Sequence, residues 1–229
     1  AQDGGSTVSE CFQTAGRIEP GDWESWHEEW MKTGHVSLQR AEVAQKEGFR
    51  ETTKANLLRA TNYYRTAEFF LDPNDPRRMK TFDLIEACSH RVLGLMSPEA
   101  EVVSVPFENG AHLDAYYLPT PVGRGPRPVV IAFGGLDEYK DELIQEMAKY
   151  ALPRGFSLLL VDLPGQGGSI LRQGLIARPD TEVPVGACVD YLLTRDDVDD
   201  DRIGLYGASM GGYFSARSAS FEHRLKCAV

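Results

Sequence analysis

The chain has 229 residues, 42% of them hydrophobic and 25% charged, a balance typical of a globular protein with one sizeable core and a smaller domain. Its formal net charge of −10 argues against nucleic acid and membranes as partners, and no apolar run approaches the roughly 18–20 residues of a membrane-spanning helix. The four cysteines include no C-x-x-C pair, which predicts neither a zinc site nor a disulfide scaffold, and with no visible signal peptide this favours the cytoplasm.

Residues 1–98 show helical periodicity throughout and no strand pattern. Glycine and proline divide the region into four candidate helices, at about 6–18, 22–47, 50–71 and 76–96. Asp22 can cap the second of these helices. The larger apolar residues of that helix include three tryptophans spaced along one face and two valines, Trp23, Trp26, Trp30, Val36 and Val43. The pattern predicts a helical cap domain over residues 1–98.

After Ser97-Pro98 the sequence takes on the periodicity of strands. Asn109-Gly110 lies between two alternating runs and predicts a hairpin. Three continuous apolar runs then predict buried strands, at 129–133, 157–161 and 203–206, with helices between them at 138–152 and 182–194 and a further strand beginning at Leu225. The segments 162–168 and 196–201 are predicted as loops. A hairpin followed by strand–helix alternation predicts a mostly parallel sheet in the order of the α/β-hydrolase fold, over 99–229.

The third buried run leads directly into a G-x-S-x-G motif formed by Gly207, Ser209 and Gly211. Between a strand and a helix, this motif is a nucleophile elbow, a sharp turn that presents the serine hydroxyl at the edge of the sheet. A helix that begins at Met210 would direct backbone N–H groups at an oxyanion formed there. The motif therefore predicts Ser209 as nucleophile and Met210 as oxyanion donor; the alternative is a glycine-rich turn that contains a serine by chance.

The loop after the first buried run contains Gly134 and Gly135, and it falls where this fold supplies the second oxyanion donor. Two glycines allow the backbone to turn its N–H groups toward the elbow. The donor is predicted to be the N–H of Gly135 or that of Leu136, and the sequence leaves this choice open. The alternative is an ordinary tight turn.

A serine nucleophile needs a histidine base and an acid, which follow the serine along the chain in this fold. The only histidine after Ser209 is His223, 14 positions along the predicted helix and therefore about 20 Å away. The histidines that precede the serine are expected to be structural: His27, His35, His90 and His112. The acid and the histidine of the triad are expected past Val229.

Four stretches of the sequence together carry a more specific resemblance: NLLRATNYYRTAEFFLDPNDPRR, AFGGLDEYKDEL, VDLPGQGGS and GASMGGYFSARSASFEHRLKCAV. The chain resembles the α/β-hydrolase group of 2,6-dihydroxypseudooxynicotine hydrolase and the fungal pigment enzymes that shorten polyketides. The resemblance implies a helical cap over a hydrolase core and hydrolysis of carbon–carbon bonds in β-diketone-like or acylated aromatic compounds, with some relatives acting on esters. It also implies that Ser209 is the nucleophile and Met210 an oxyanion donor.

The expected function is that of a serine hydrolase that acts on a small molecule, with no metal and no organic cofactor. A homodimer stays open as a further expectation. The alternatives are a carboxylesterase, a peptidase of the prolyl-oligopeptidase type, and, if the chain ends at Val229, a hydrolase-like binding protein without catalysis.

Overall fold

A computed structural model describes residues 3–229, and the chain divides into two compact units, 1–96 and 97–229. The division lies two residues before the boundary at 98 that the sequence indicates. The described part of the first unit forms four helices, α1 (Val8–Ala15), α2 (Trp23–Lys46), α3 (Arg50–Glu68) and α4 (Pro76–Gly94). Among the helices that residues 3–229 form, none combines the length and the apolar character required to cross a membrane.

The helices of the first unit begin and end at the residues that cap them. The carboxylate of Asp22 accepts hydrogen bonds from the N–H groups of the first turn of α2, as predicted. Asp75 does the same for α4, and Pro76 occupies the first turn, where its missing N–H costs nothing. After α2, Gly48 has a φ of +78°, which a residue with a Cβ rarely adopts.

Helix α2 packs on α3 through small residues rather than through its valines. A Cβ placed on Gly34 would lie 2.6 Å from the ring of Tyr64, so the two helices approach closely at this point. Val36 and Val43 lie off this contact and are 46% and 56% exposed. The other buried residues of α2 are mainly small or polar: His27, Trp30, Thr33, Ser37, Ala41 and Ala44.

A buried carboxylate joins α3 to α4. The side chain of Glu68 is 1% exposed and lies 2.8 Å from the guanidinium of Arg65 and 2.6 Å from that of Arg78. Buried charges are tolerated only when they are paired, because removal from water costs several kcal/mol for each ion. The ion pairs therefore hold the C-terminal end of α3 against the first turn of α4.

We predict that Glu68→Ala lowers the free energy of unfolding by about 3–5 kcal/mol, because it leaves two guanidinium groups without their shared carboxylate. The matched control is Glu51→Ala, which breaks the Lys54–Glu51 pair on the same helix, where the Glu51 side chain is 75% exposed. It should cost less than about 1 kcal/mol. Urea denaturation measures both values, and equal losses would contradict the prediction.

The second unit is built on a six-stranded sheet in the part of the chain described. Its strands are β1 (Glu101–Pro106), β2 (His112–Leu118), β3 (Arg127–Phe133), β4 (Ser157–Val161), β5 (Val198–Gly207) and β6 (Cys227–Ala228). They lie in the order β1-β2-β4-β3-β5-β6. The pairs β1–β2 and β2–β4 are antiparallel, and β4, β3, β5 and β6 are parallel. The predicted hairpin and parallel sheet are both present.

Helices α5 (Lys140–Ala151), α6 (Gly167–Leu171), α7 (Glu182–Leu192) and α8 (Met210–Phe221) follow the strands. One face of the sheet packs against apolar residues of α7, including Val185 and Val189. On strand β2, Tyr116 donates a hydrogen bond to Asp141 of α5, so α5 covers the opposite face there. The sheet is therefore buried on both sides, which explains the continuous apolar runs of β3 and β4.

Two predicted loops were wrong in part. Strand β5 begins at Val198 and includes Asp199–Asp201, because Val198 still pairs with Arg127 before a bulge. Asp200 and Asp201 are exposed, the Asp201 side chain to 93%, and Asp199 is paired with Arg202, so these carboxylates do not oppose strand formation. The segment 162–168 is a loop only as far as Gln166, since α6 begins at Gly167.

The sheet topology brings two loops together. Strands β3 and β5 are parallel neighbours, with Phe133 opposite Gly207 at their carboxyl ends. The segment after β3, residues 134–139, therefore meets Ala208 and Ser209 after β5. Open α/β sheets bind ligands at this edge.

Candidate active site

The G-x-S-x-G turn has the backbone geometry of a nucleophile elbow. Ser209 has φ 57° and ψ −124°, a combination that costs a non-glycine residue about 1–3 kcal/mol. A Cβ on Gly207 would clash with the carbonyl oxygen of Gly211, and a Cβ on Gly211 would lie 2.8 Å from the carbonyl oxygen of Gly134. Both glycines are thus required by close backbone contacts, as the motif predicts.

Ser209 is exposed, and α8 begins at the next residue. The N–H groups of the first helical turn have no partner within the helix and carry a partial positive charge. Within residues 3–229, the N–H of Met210 has no hydrogen-bond acceptor. This N–H is therefore available to an oxygen atom of a bound molecule.

The double-glycine loop lies directly against the elbow. A Cβ placed on Gly135 would be 3.1 Å from the Cβ of Ser209 and 3.5 Å from its Oγ. The N–H of Gly135 donates to Oε2 of Glu138 at 3.2 Å. In the described part of the chain, the N–H of Leu136 has no acceptor. Of the two donors left open by the sequence, Gly135 is thus already engaged, whereas Leu136 is free to bind an oxyanion.

Glu138 lies beside the candidate site, where it accepts from the N–H of Gly135, and the sequence analysis did not single it out. Its partial burial, together with the nearby carboxylates of Glu146 and Glu142, raises the pKa of Glu138 to about 8. The group is therefore mostly neutral at pH 7, next to the predicted oxyanion loop. The spacing of these three residues, four positions apart within the predicted helix 138–152, was the available signal, although α5 itself begins only at Lys140.

A buried ion pair anchors the base of the same loop. Asp162, at the end of β4, is fully buried and accepts hydrogen bonds from the backbone N–H of Lys140 at 2.8 Å and from its Nζ at 3.1 Å. It also accepts from the N–H of Gly168 at 2.9 Å. Lys140 is the first residue of α5, so this contact fixes the position of the residue that follows the segment 134–139. Asp162 therefore holds the start of α5 and the start of α6 against the end of β4.

The histidines of the second unit do not lie beside Ser209. His112 begins β2, three strand positions from β5 and so about 14 Å away, and its ring faces Asp114 at 3.2 Å. His223 follows α8, whose 12 residues span about 18 Å from Ser209. In the first unit, His27 and His35 contact the Ala67 carbonyl and the Tyr64 hydroxyl. Neither His112 nor His223 is therefore placed to act as a triad base for Ser209.

Comparison with known proteins gives a consistent set of relatives. The sequence model of the family described as FrsA-like esterases matches residues 9–229. Hydrolase LUC6 from Fusarium sp is 35% identical, and the match covers 98% of this chain and 56% of that protein. The 20-hydroxy-prefusarin hydrolase of Gibberella moniliformis is also 35% identical, with the same coverages. The chain thus spans a little over half the length of these relatives.

The crystal structure of 2,6-dihydroxy-pseudo-oxynicotine hydrolase superposes with a TM-score of 0.83 at 29% identity, covering 98% of this chain and 61% of that one. This likeness confirms the resemblance drawn from the sequence. Together with the sheet order and the elbow, it establishes the α/β-hydrolase fold. The chain belongs to the FrsA-like esterase family.

Proposed function

We propose that this chain carries the nucleophile and the oxyanion hole of a serine hydrolase that cleaves a carbon–carbon bond next to a carbonyl. The observation that carries the proposal is the position of Ser209. It is exposed, strained and seated between the start of α8 and Gly135, whose neighbour Leu136 has an unused N–H. Strain at an exposed serine between unused donors is expected at a catalytic centre rather than in an ordinary turn.

The reaction would begin with attack of Ser209 Oγ on the substrate carbonyl carbon, while a base takes the hydroxyl proton. The carbonyl oxygen becomes an oxyanion, which the N–H groups of Met210 and Leu136 stabilise. The bond to the leaving carbon then breaks, and that carbon receives the proton. Water hydrolyses the acyl-serine to a carboxylic acid and restores the hydroxyl. In this fold the base is a histidine that follows the serine in the chain.

A carbon leaving group is far less stable than an alkoxide, so carbon–carbon cleavage needs a substrate that delocalises the departing electron pair. A β-diketone or an electron-rich acylated aromatic compound meets this requirement. The relatives named for 20-hydroxy-prefusarin and 2,6-dihydroxy-pseudo-oxynicotine support a small organic substrate. The description of the family as esterases supports ester hydrolysis as the second candidate. The two reactions share the nucleophile and the oxyanion hole.

We predict that Ser209→Ala lowers kcat by about a thousandfold or more and abolishes covalent labelling by a fluorophosphonate probe, because no other group supplies the nucleophile. The assay uses the full-length protein with a panel of aryl esters, peptides and β-diketones. Ser220→Ala is the matched control, since Ser220 is a serine of α8 whose hydroxyl donates to the carbonyl of Ala216, one helical turn earlier. Persistent labelling of Ser209→Ala would rule out this nucleophile.

We also predict an alkaline loss of activity that depends on Glu138. The pKa of Glu138 is raised to about 8, so the carboxyl is neutral below that pH and ionised above it. A negative charge beside Gly135 opposes an oxyanion, so kcat/KM should fall about tenfold between pH 7 and pH 9.

Glu138→Gln should remove this decline, since the amide stays neutral. Asp201→Asn is the control and should keep the wild-type profile, since this carboxylate of β5 is 93% exposed and its ion pair with Lys226 lies at the surface. The measurement is the ratio of variant to wild-type kcat/KM across pH. For Glu138→Gln this ratio should rise between pH 7 and pH 9, and a ratio that does not change with pH would contradict the prediction.

A further inference from the structure

We infer that Gln166 is a positioning residue for the oxyanion hole: its side-chain amide fixes the orientation of the peptide groups that present the N–H of Leu136. This inference rests on the proposed function, because it assigns Leu136 a role in the reaction. Gln166 lies in the loop that follows β4.

Gln166 is buried, with 3% of its surface exposed, at the residue that precedes α6. Its Nε2 donates to the carbonyl oxygens of Gly134 and Gly135, each at 2.7 Å. Its Oε1 accepts from the N–H of Leu163 at 2.9 Å. The primary amide thus uses both of its protons and its oxygen, and every partner is a backbone group. A reversed amide would place Oε1 against two carbonyl oxygens, so this network permits one orientation.

The effect on the loop follows from the geometry of the peptide bond. In a trans peptide the C=O and the N–H of the same plane point in opposite directions. The carbonyl of Gly134 shares its plane with the N–H of Gly135, and the carbonyl of Gly135 shares its plane with the N–H of Leu136. Because Gln166 holds both carbonyls, both N–H groups must point away from Gln166.

The N–H groups of Gly135 and Leu136 differ in whether they have an acceptor. That of Gly135 donates to Glu138, while that of Leu136 has no acceptor in the described part of the chain. Rotation of the Gly135–Leu136 peptide would break a hydrogen bond to Gln166 and direct the Leu136 N–H at the donor amide. Glycine at 135 would otherwise allow such a rotation at little steric cost. The hydrogen bonds from Gln166 therefore prevent a rotation of the Gly135–Leu136 peptide that Gly135 alone would allow.

The test compares Gln166→Met with Gln173→Met in the full-length protein. Gln173 is the matched control because its amide also bridges two backbone groups, accepting from the N–H of His112 at 3.0 Å and donating to its carbonyl at 2.6 Å. It acts on β2, three strand positions from β5. We expect Gln166→Met to lower kcat about 10–100-fold, somewhat less than complete removal of an oxyanion donor, with KM nearly unchanged.

Gln173→Met should keep a kcat within about threefold of the wild-type value, even if its melting temperature falls as much as that of Gln166→Met. The substrate is whichever compound of the panel of aryl esters, peptides and β-diketones the wild type hydrolyses, and the melting temperature of each variant is recorded. Equal kcat for Gln166→Met and wild type would overturn the inference. So would a loss of kcat in both variants that follows their loss of stability.

A second variant separates positioning from folding. Gln166→Glu keeps an acceptor for Leu163, and only its protonated form can donate to a loop carbonyl. Burial raises the pKa of a carboxyl group, so the ratio of variant to wild-type kcat should rise as the pH is lowered toward 5. A purely structural role gives no such recovery, and a flat ratio would count against the inference.

The proposed function and this inference can fail separately. If the wild type is not labelled by a fluorophosphonate, the proposed function fails. Hydrogen–deuterium exchange then tests whether Gln166 holds the segment 134–139 in place. The inference requires faster exchange in this segment of Gln166→Met than in wild type, with no such change in Gln173→Met. Unchanged exchange in that segment would overturn it.

Discussion

The site depends on direct contact between two stretches of backbone at the ends of β3 and β5. Neighbouring strands lie about 4.8 Å apart, which leaves no room for side chains between the loops that follow them. Gly211 touches the carbonyl of Gly134, and Gly135 touches Ser209. This contact sets the separation between the serine oxygen and the N–H groups around it, so the remaining features of the unit act by holding the two loops in place.

The surrounding structure supplies the stability that such an arrangement requires. Ser209 occupies a costly backbone conformation, and the carboxyl of Glu138 is partly withdrawn from water close to two others. Two features offset these costs. The sheet is covered on both faces, and Asp162 forms a buried ion pair with Lys140. The ion pair joins the end of β4 to the first turn of α5. The segment 134–139 ends just before Lys140, and the loop that contains Gln166 begins at Asp162.

Local signals in the sequence were sufficient for much of the fold. The apolar run at 157–161 gave β4 its bounds, Asp22 marked the start of α2, and the spacing of Gly207, Ser209 and Gly211 marked the elbow. Local signals failed where tertiary contacts decide. The acidic residues Asp199–Asp201 belong to β5 because they lie in a bulge between Val198 and Ile203, which both pair with β3. No local pattern connects Gln166 to carbonyls more than 30 residues earlier.

The predicted oxyanion donors, Met210 and Leu136, would act through their backbones, which every amino acid except proline provides. Their side chains are 41% and 67% exposed. Replacement of either side chain by any residue except proline therefore keeps the N–H that the proposed oxyanion hole uses. A lineage can replace them repeatedly and acquire new preferences for neighbouring parts of a ligand while its chemistry stays the same.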